Sequence, residues 1–506
     1  NRMSDSERDI LRGFVSILSG DIGALLVGLA ITPIIVRLLG SSQYGEYAFL
    51  LSLLSVLLIV TNGGIGDGIR KFIAEQRGGR WEEDVFVFYV RLSIVLGLIG
   101  AACLLALTSA GVIRGVLGGA FESYFALLAL LLLTRQLFLT FRSTLMGLGY
   151  EHRSEPLLIL QKLLFGGIAV ALLLGGWGVE GMLAGHIVAS LIVSLLALWL
   201  VSRLLNVGYL WRVRSTETPA RELLSFNALS VLLTILMTSL YHVDILLLQL
   251  ITGSQTTGHY RAALLVAEFV WFVPFALQIV LLHSTADLWA RDDREKISSL
   301  ASRATRYTVA LTLLIALGIA ALAEPFVRVY FGAEFSGISG IILLLLPGAF
   351  GFAVARPIIA ISQSKGTLRT LVGVTALVAG LNICLNVLLI PEYGMVGAAA
   401  ATSLSYGLML LVHVGSARRL GYNPLDDLRA ARILVTVLVA TPVIFGVASL
   451  LRGAHPLLLV PPVGGLVCAV VAIKTGVTSS QELEPAANRL PAPLDDSLLT
   501  TIRILE

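Results

Sequence analysis

The stretch Gly40-Ser41-Ser42-Gln43-Tyr44-Gly45-Glu46-Tyr47 recurs as Gly253-Ser254-Gln255-Thr256-Thr257-Gly258-His259-Tyr260, with Gly, Ser, Gly and Tyr in the same places. Each copy is a short polar turn between two long apolar runs. A second pair, Gly178-Val179-Glu180-Gly181 and Gly394-Met395-Val396-Gly397, repeats at nearly the same offset. Two matches at almost one spacing indicate a duplicated chain of two six-helix units. Units with an even number of helices share their orientation, so an axis along the membrane normal should relate them. The expected organisation is an N-lobe over 1–217, a C-lobe over 218–427, two further helices over 428–475, and a cytoplasmic tail over 476–506.

Composition agrees with a lipid-embedded chain. Of 506 residues, 57% are hydrophobic and 13% charged, against about 25% charged in ordinary soluble domains. Mean hydropathy is +0.89. Thirty-six Lys+Arg and 32 Asp+Glu are too few to cover a soluble protein of this length. A soluble enzyme, a disordered chain and a nucleic-acid-binding domain are excluded. A spanning helix needs about 20 mostly apolar residues. Runs such as Tyr47–Gly66, Leu92–Ile113, Gly181–Ser202, Thr370–Pro391 and Ile433–Leu451 carry no Asp, Glu, Lys or Arg. Others qualify if one or two ionisable residues are admitted inside. The expected fold class is an all-α, polytopic membrane protein with 14 transmembrane helices.

Loop charges support that spacing, because Lys and Arg collect on the cytoplasmic side. The N-terminal segment and every second loop hold nearly all of them, from Arg2, Arg8 and Arg12 through Arg70, Lys71, Arg77 and Arg80 to Arg418, Arg419, Arg429 and Arg432. The opposite loops hold only Arg37, Arg114, Arg328 and Arg452. The expected location is the cell (plasma or inner) membrane, multi-pass, with both termini cytoplasmic. Trp81, Trp177, Trp211 and Trp289 lie near span ends, as interfacial anchors do.

The short loops exclude a catalytic domain, which needs at least about 50 residues. There is no phosphate-binding loop ending in Lys-Ser or Lys-Thr. Cys103, Cys384 and Cys468 form no metal spacing. The pairs Asp292-Asp293, Asp426-Asp427 and Asp495-Asp496 stand among arginines in polar segments and read as solvated helix-end charge. Gly63-Gly64-Ile65-Gly66-Asp67-Gly68 lacks the strand context of a dinucleotide loop and reads as the flexible inner end of the second span. No catalytic residue and no metal ligand is expected.

Ionisable residues inside spans are costly and therefore informative. The basic ones are Arg91, Arg135, Arg142, Lys162, Arg261 and Arg356; the acids are Asp21, Asp244 and Glu268. Arg91, Arg142, Lys162, Arg356 and Asp21 lie about 8–11 Å from the cytoplasmic ends of their spans, and Arg135 roughly 18 Å in. Arg135 and Arg142 are seven residues apart and share a helix face. Snorkelling to the inner headgroups explains Arg91, Arg142, Lys162 and Arg356 as readily as a cavity does. Arg135 is too deep for that and should face a hydrated interior. Guanidinium groups bind phosphate bidentately, so this set suits a diphosphate. Asp21, Asp244, Arg261 and Glu268 are candidates for structural pairing or for coupling to Na⁺ or H⁺, and no cofactor is expected. His186, His242, His283 and His413 read as hydrogen-bonded interior residues.

Two segments carry a family resemblance. Leu38-Leu39-Gly40 through Tyr44-Gly45-Glu46-Tyr47 resembles the first outer turn of polysaccharide-biosynthesis flippases. Ile390-Pro391-Glu392-Tyr393-Gly394-Met395-Val396-Gly397-Ala398-Ala399 resembles their eleven-to-twelve hairpin. These flippases belong to the multidrug/oligosaccharidyl-lipid/polysaccharide exporter superfamily. The resemblance implies two six-helix lobes around a central cavity. It also implies flipping of a polyprenyl-diphosphate-linked oligosaccharide from the cytoplasmic to the outer leaflet. The expected partners are this lipid-linked substrate, membrane lipids and the glycosyltransferases of the same pathway, with no nucleic acid. In related peptidoglycan-precursor flippases the last two helices form a groove for the lipid tail, a role open to the two extra spans here. A cation-coupled drug antiporter of the same superfamily, which would use Asp21, Asp244 and Glu268, is the first alternative. A membrane glycan polymerase would need a large outer loop, and a scramblase without directionality is the remaining alternative.

Overall fold

A computed structural model of the chain describes residues 5–211, 220–225, 228–478 and 482, with the side chains of 5–22, 211, 224, 225, 228 and 283 left out. Of the tail expected over 476–506, only 476–478 and 482 lie among the described residues. The helices are α1 (Asp5–Asn62), α2 (Ile65–Ala74), α3 (Trp81–Ser109), α4 (Val112–Leu117), α5 (Ala120–Gly147), α6 (Glu151–Leu174), α7 (Gly178–Ser202), α8 (Ala220–Ser225) and α9 (Ala228–Thr252). They continue with α10 (Ser254–Glu268), α11 (Phe272–Ser284), α12 (Ala286–Ala290), α13 (Arg294–Tyr330), α14 (Ser339–Ser364), α15 (Leu368–Leu420), α16 (Ala430–Leu450) and α17 (His455–Lys474).

Among the described residues, twelve helical segments are long and apolar enough to cross a membrane, rather than the fourteen expected. The difference lies in two hairpins. The helices α1 and α15, of 58 and 53 residues, run through the turns that the sequence places between consecutive spans. Each contains one residue with non-helical angles, Gly40 (φ 70°, ψ 176°) and Gly394 (φ 53°, ψ −129°). Positive φ costs glycine little because it has no Cβ. The chain therefore reverses at these points while helix-type hydrogen bonds close on either side.

The chain divides into two compact units, Asn1–Gly258 and His259–Glu506. In the first, α5 is the central helix. It packs on α3 and α7, while α1 packs on α6 and on α9. The helix α9 thus clusters with the first unit. The turn at Gly40–Tyr47 and its copy meet here. A Cβ on Gly45 would overlap the Ser254 carbonyl oxygen, and one on Gly258 would overlap that of Ser41. The contact is reciprocal, as expected where two copies of one motif face each other.

In the second unit α14 is central, packed between α13 and α15 with α11 alongside. The helices α16 and α17 pair with each other and lie against α13, around Leu322, Ala440, Ile444 and Val460. A charge network at one end of α13 fastens them. The fully buried Arg306 donates to Asp427 and, at 2.6 Å, to Glu482 Oε1. Tyr307 donates its hydroxyl to Glu482 Oε2 at 2.8 Å. Arg429 and Arg432 donate to the Gly476 carbonyl at 2.9 and 2.8 Å. Burial pushes the Glu482 carboxyl up, but the hydrogen bonds from Arg306 and Tyr307 outweigh it and hold the group below the usual glutamate range.

Two outcomes follow from this packing. Gly258→Val should destabilise the protein by about 1–3 kcal/mol through backbone overlap, read as a lowered Tm in detergent. Because Glu482 is held below its unfolded value, its contribution is present at neutral pH and is lost as pH falls below about 4. Protection factors of the Gly476 and Val477 amides, corrected for the intrinsic pH dependence of exchange, should therefore fall in acid, and Glu482→Gln should lower them at neutral pH.

Candidate substrate-binding site

The face of α5 that carries Gln136, Thr140 and Thr144 is buried. Gln136 Nε2 donates to the Ser93 and Thr61 carbonyls at 2.7 and 3.1 Å. The Ser93 and Thr140 hydroxyls meet at 2.8 Å, and Ser194 donates to the Thr134 carbonyl at 3.2 Å. These bonds fix the rotation of α5 against α1, α3 and α7. They thereby aim its neighbouring face, which carries Arg135 and, two turns on, Arg142. Successive residues differ by about 100° around the axis.

The two arginines differ in compensation. Arg142 Nη2 bonds both oxygens of Glu155 on α6, at 2.8 and 3.0 Å, and that carboxylate is only 2% exposed. Ser154 adds a hydroxyl bond to Glu155 at 3.2 Å. Arg135 is half-buried, and no carboxylate among the described residues pairs with it. The same holds for Lys162, two turns beyond Glu155 on α6. The side chain of Asp21 lies outside the described residues. Arg135 is within electrostatic range of Arg142, Lys162, Tyr47 and His186. His186 stacks on Phe165 at 3.7 Å between centroids and shares a 2.7 Å hydrogen bond with the Tyr47 hydroxyl. Gln161 donates to Ser190 at 3.1 Å below it. The first unit thus gathers two cations that no carboxylate among the described residues compensates, beside an imidazole, a phenol and amide and hydroxyl groups.

Within the first unit Arg91 and Asp244 have partners of their own, and Arg261, Glu268 and Arg356 belong to the second unit. Arg91 donates to the Leu210 carbonyl at 2.8 Å and so holds the turn Val207–Trp211. Arg356, 7% exposed, is in the second unit. It donates to Gln278 Oε1 at 3.0 Å and lies over the rings of Phe352, Trp271 and Phe275 at 4.6, 5.1 and 5.4 Å. Arg261 and Glu268 pair at 3.3 Å. The buried Asp244 accepts the Ile245 backbone N–H at 2.8 Å. Glu155 and the Tyr47–His186–Phe165 stack were missed by sequence reasoning. An acid opening the fifth span, seven residues before Lys162, was the available signal for Glu155. The stack joins three separate helical stretches and left no signal.

The second unit contributes an apolar crevice along α13. It is about 310 Å³ in volume and is lined by Leu314, Ile319 and Phe326 of α13, Ile444 of α16, and Val460 and Gly464 of α17. From Leu314 to Phe326 it follows α13 for roughly 18 Å. A second cavity, about 410 Å³, is lined by Glu324, Pro325, Arg328 and Val329 of α13 with Phe445 and Pro456, and so is partly charged.

An all-helical, two-unit membrane protein with cations inside and an apolar crevice beside its last helices belongs to the transporter class. Residues 10–271 match the polysaccharide biosynthesis protein family, and the chain belongs to that family. It is similar to the probable low-salt glycan biosynthesis flippase Agl15 of Haloferax volcanii, with 25% identity over 80% of this chain and 83% of that one. It is also similar to the probable flippase AglR of the same organism, with 24% identity over 76% and 78%. Among solved structures, the inward closed lipid II flippase MurJ shares the fold, with a TM-score of 0.73 and 14% identity, covering 90% of this chain and 98% of that one. An inward-facing multidrug resistance MATE family transporter shares it with a TM-score of 0.64 and 17% identity over 78% and 94%.

The Arg142–Glu155 pair yields a direct test. Glu155→Gln leaves a guanidinium largely buried without its counter-ion and should cost about 3 kcal/mol. Adding Arg142→Gln should recover part of that loss, measured as Tm in a double-mutant cycle.

Proposed function

We propose that this protein is a flippase that moves a polyprenyl-diphosphate-linked oligosaccharide from the cytoplasmic to the outer leaflet by alternating access. The observation that carries the reading is the pair Arg135 and Lys162, which meet no carboxylate among the described residues. Removing two cations from water is expensive, and a diphosphate returns that cost by binding them both. The aromatic and hydroxyl groups around His186 give the phosphate further donors. The apolar crevice along α13 suits the polyprenyl tail, which remains in lipid while the polar head moves. The relatives named as flippases support the same class of substrate. Arg142 serves to orient the site through Glu155, and Arg356 to hold the aromatic cluster of the second unit. The distribution of loop charges supports a membrane orientation with both termini cytoplasmic.

A cation-coupled drug antiporter would use interior carboxylates such as Asp21, Asp244 and Glu268. Glu268 is ion-paired with Arg261 and Asp244 is buried and accepts the Ile245 backbone N–H, while the side chain of Asp21 lies outside the described residues. The Glu268 pairing favours the flippase over that rival.

The test is reconstitution into liposomes with a lipid-linked oligosaccharide, followed by its appearance on the far leaflet with a lectin or glycosidase. A charged hydrogen bond contributes about 1.5–3 kcal/mol. Arg135→Gln with Lys162→Gln should therefore weaken diphosphate binding by at least about tenfold and reduce flipping in step, while Arg135→Lys should retain part of both. Wild-type flipping by the double variant would overturn the reading.

A further inference from the structure

The glycine-rich bend Gly63-Gly64-Ile65-Gly66-Asp67-Gly68 has no part in the site described so far. It forms one wall of a separate polar cavity in the first unit, about 290 Å³ in volume, completed by α5 and α9. Asn62, Asp67, Arg70, Arg142, Ser143 and Thr234 put polar groups on that wall. Bare backbone at Gly66 keeps the space open, since a Cβ there would stand 3.0 Å from Ser143 Oγ.

Charge in this cavity cancels locally. Arg142 is bonded to Glu155 at 2.8 Å and Arg70 is paired with Asp67. Hydrogen-bonding capacity is not exhausted, however. Asn62 Oδ1 and Arg142 Nε are buried and have no hydrogen-bond partner among the described residues. Polar atoms in that condition are a cost to the fold unless a guest satisfies them. The cavity therefore offers donors and acceptors side by side without net charge, which is the opposite of the Arg135 and Lys162 pair.

We propose that this cavity is a sugar subsite that takes one neutral, hydroxyl-rich ring of the glycan. A ring hydroxyl both donates and accepts, and so matches an amide or carboxylate oxygen beside a guanidinium. A phosphate would gain nothing from charges already neutralised, and would go to Arg135. The volume lies at the small end of ligand pockets, roughly 300–1,000 Å³. The proposal rests on the flippase reading, because Arg142 lies two turns, about 10 Å, along α5 from Arg135. A sugar joined to a diphosphate held at Arg135 reaches the cavity directly.

Ligand-observed saturation-transfer NMR on the full chain in detergent tests this, with glucose, mannose and N-acetylglucosamine as neutral probes and inorganic pyrophosphate as the anion. Ser143→Leu and Thr234→Phe fill the cavity from α5 and from α9. Each is expected to cut transfer to the sugars at least fivefold and to leave pyrophosphate binding unchanged. No transfer from the wild-type protein to any of the three sugars overturns the proposal. Sugar signals that survive both filling variants overturn it too, as does loss of pyrophosphate alone, which would make the cavity an anion site. Failure of the wild-type protein to bind pyrophosphate would instead sink the diphosphate site at Arg135 and Lys162, with the sugar signals reading the cavity independently.

Discussion

A charge carried inside a lipid-embedded helix bundle has to be compensated, and this requirement sorts the interior of the protein. Arg142 is met by Glu155, Arg261 by Glu268, Arg91 by backbone carbonyls, and Arg356 by an amide oxygen and three aromatic faces. The Arg142, Arg91 and Arg356 solutions each fix a helix against another element or hold a turn, while the Arg261–Glu268 pair lies within α10. Arg135 and Lys162 have no such solution among the described residues, which is why the proposed substrate site is placed on them. These cations thus differ by partner and not by residue type or depth.

The polar ladder on α5 makes that distinction possible. Gln136, Thr140 and Thr134 bind three neighbouring helices through short hydrogen bonds, so α5 cannot rotate to carry Arg135 toward lipid. The duplicated turn does comparable work within α1, at its kink. The mutual approach of Gly45 and Gly258 brings two backbones closer than any side chain would allow, which sets where α1 and α10 begin their return.

Much of the architecture was legible in the sequence because hydropathy, loop charge and repeated turns act over short ranges. The positions of Gly40 and Gly394 were visible as turns, and at each the backbone leaves helical angles, so the two longest helical segments are each a pair of helices joined at a kink. The candidate site was legible only by depth. Depth placed Arg91, Arg135, Arg142, Lys162 and Arg356 in one set, but partners decide which cations stay unpaired. Those partners come from distant parts of the chain: Glu155 for Arg142, Leu210 for Arg91 and Gln278 for Arg356. A single sequence records the cost of a buried charge and not the group that offsets it.

The network around Arg306 bears on modularity. By the repeat, α16 and α17 look like an addition to a finished twelve-helix body. Yet Arg306, in α13, has its counter-ions at Asp427 and Glu482, on either side of the added pair in sequence. A chain cut after α15 would expose α13's apolar crevice and strip a fully buried guanidinium of both carboxylates. The last two helices are therefore not a detachable accessory, because the same segments that bury Arg306 also supply its counter-ions.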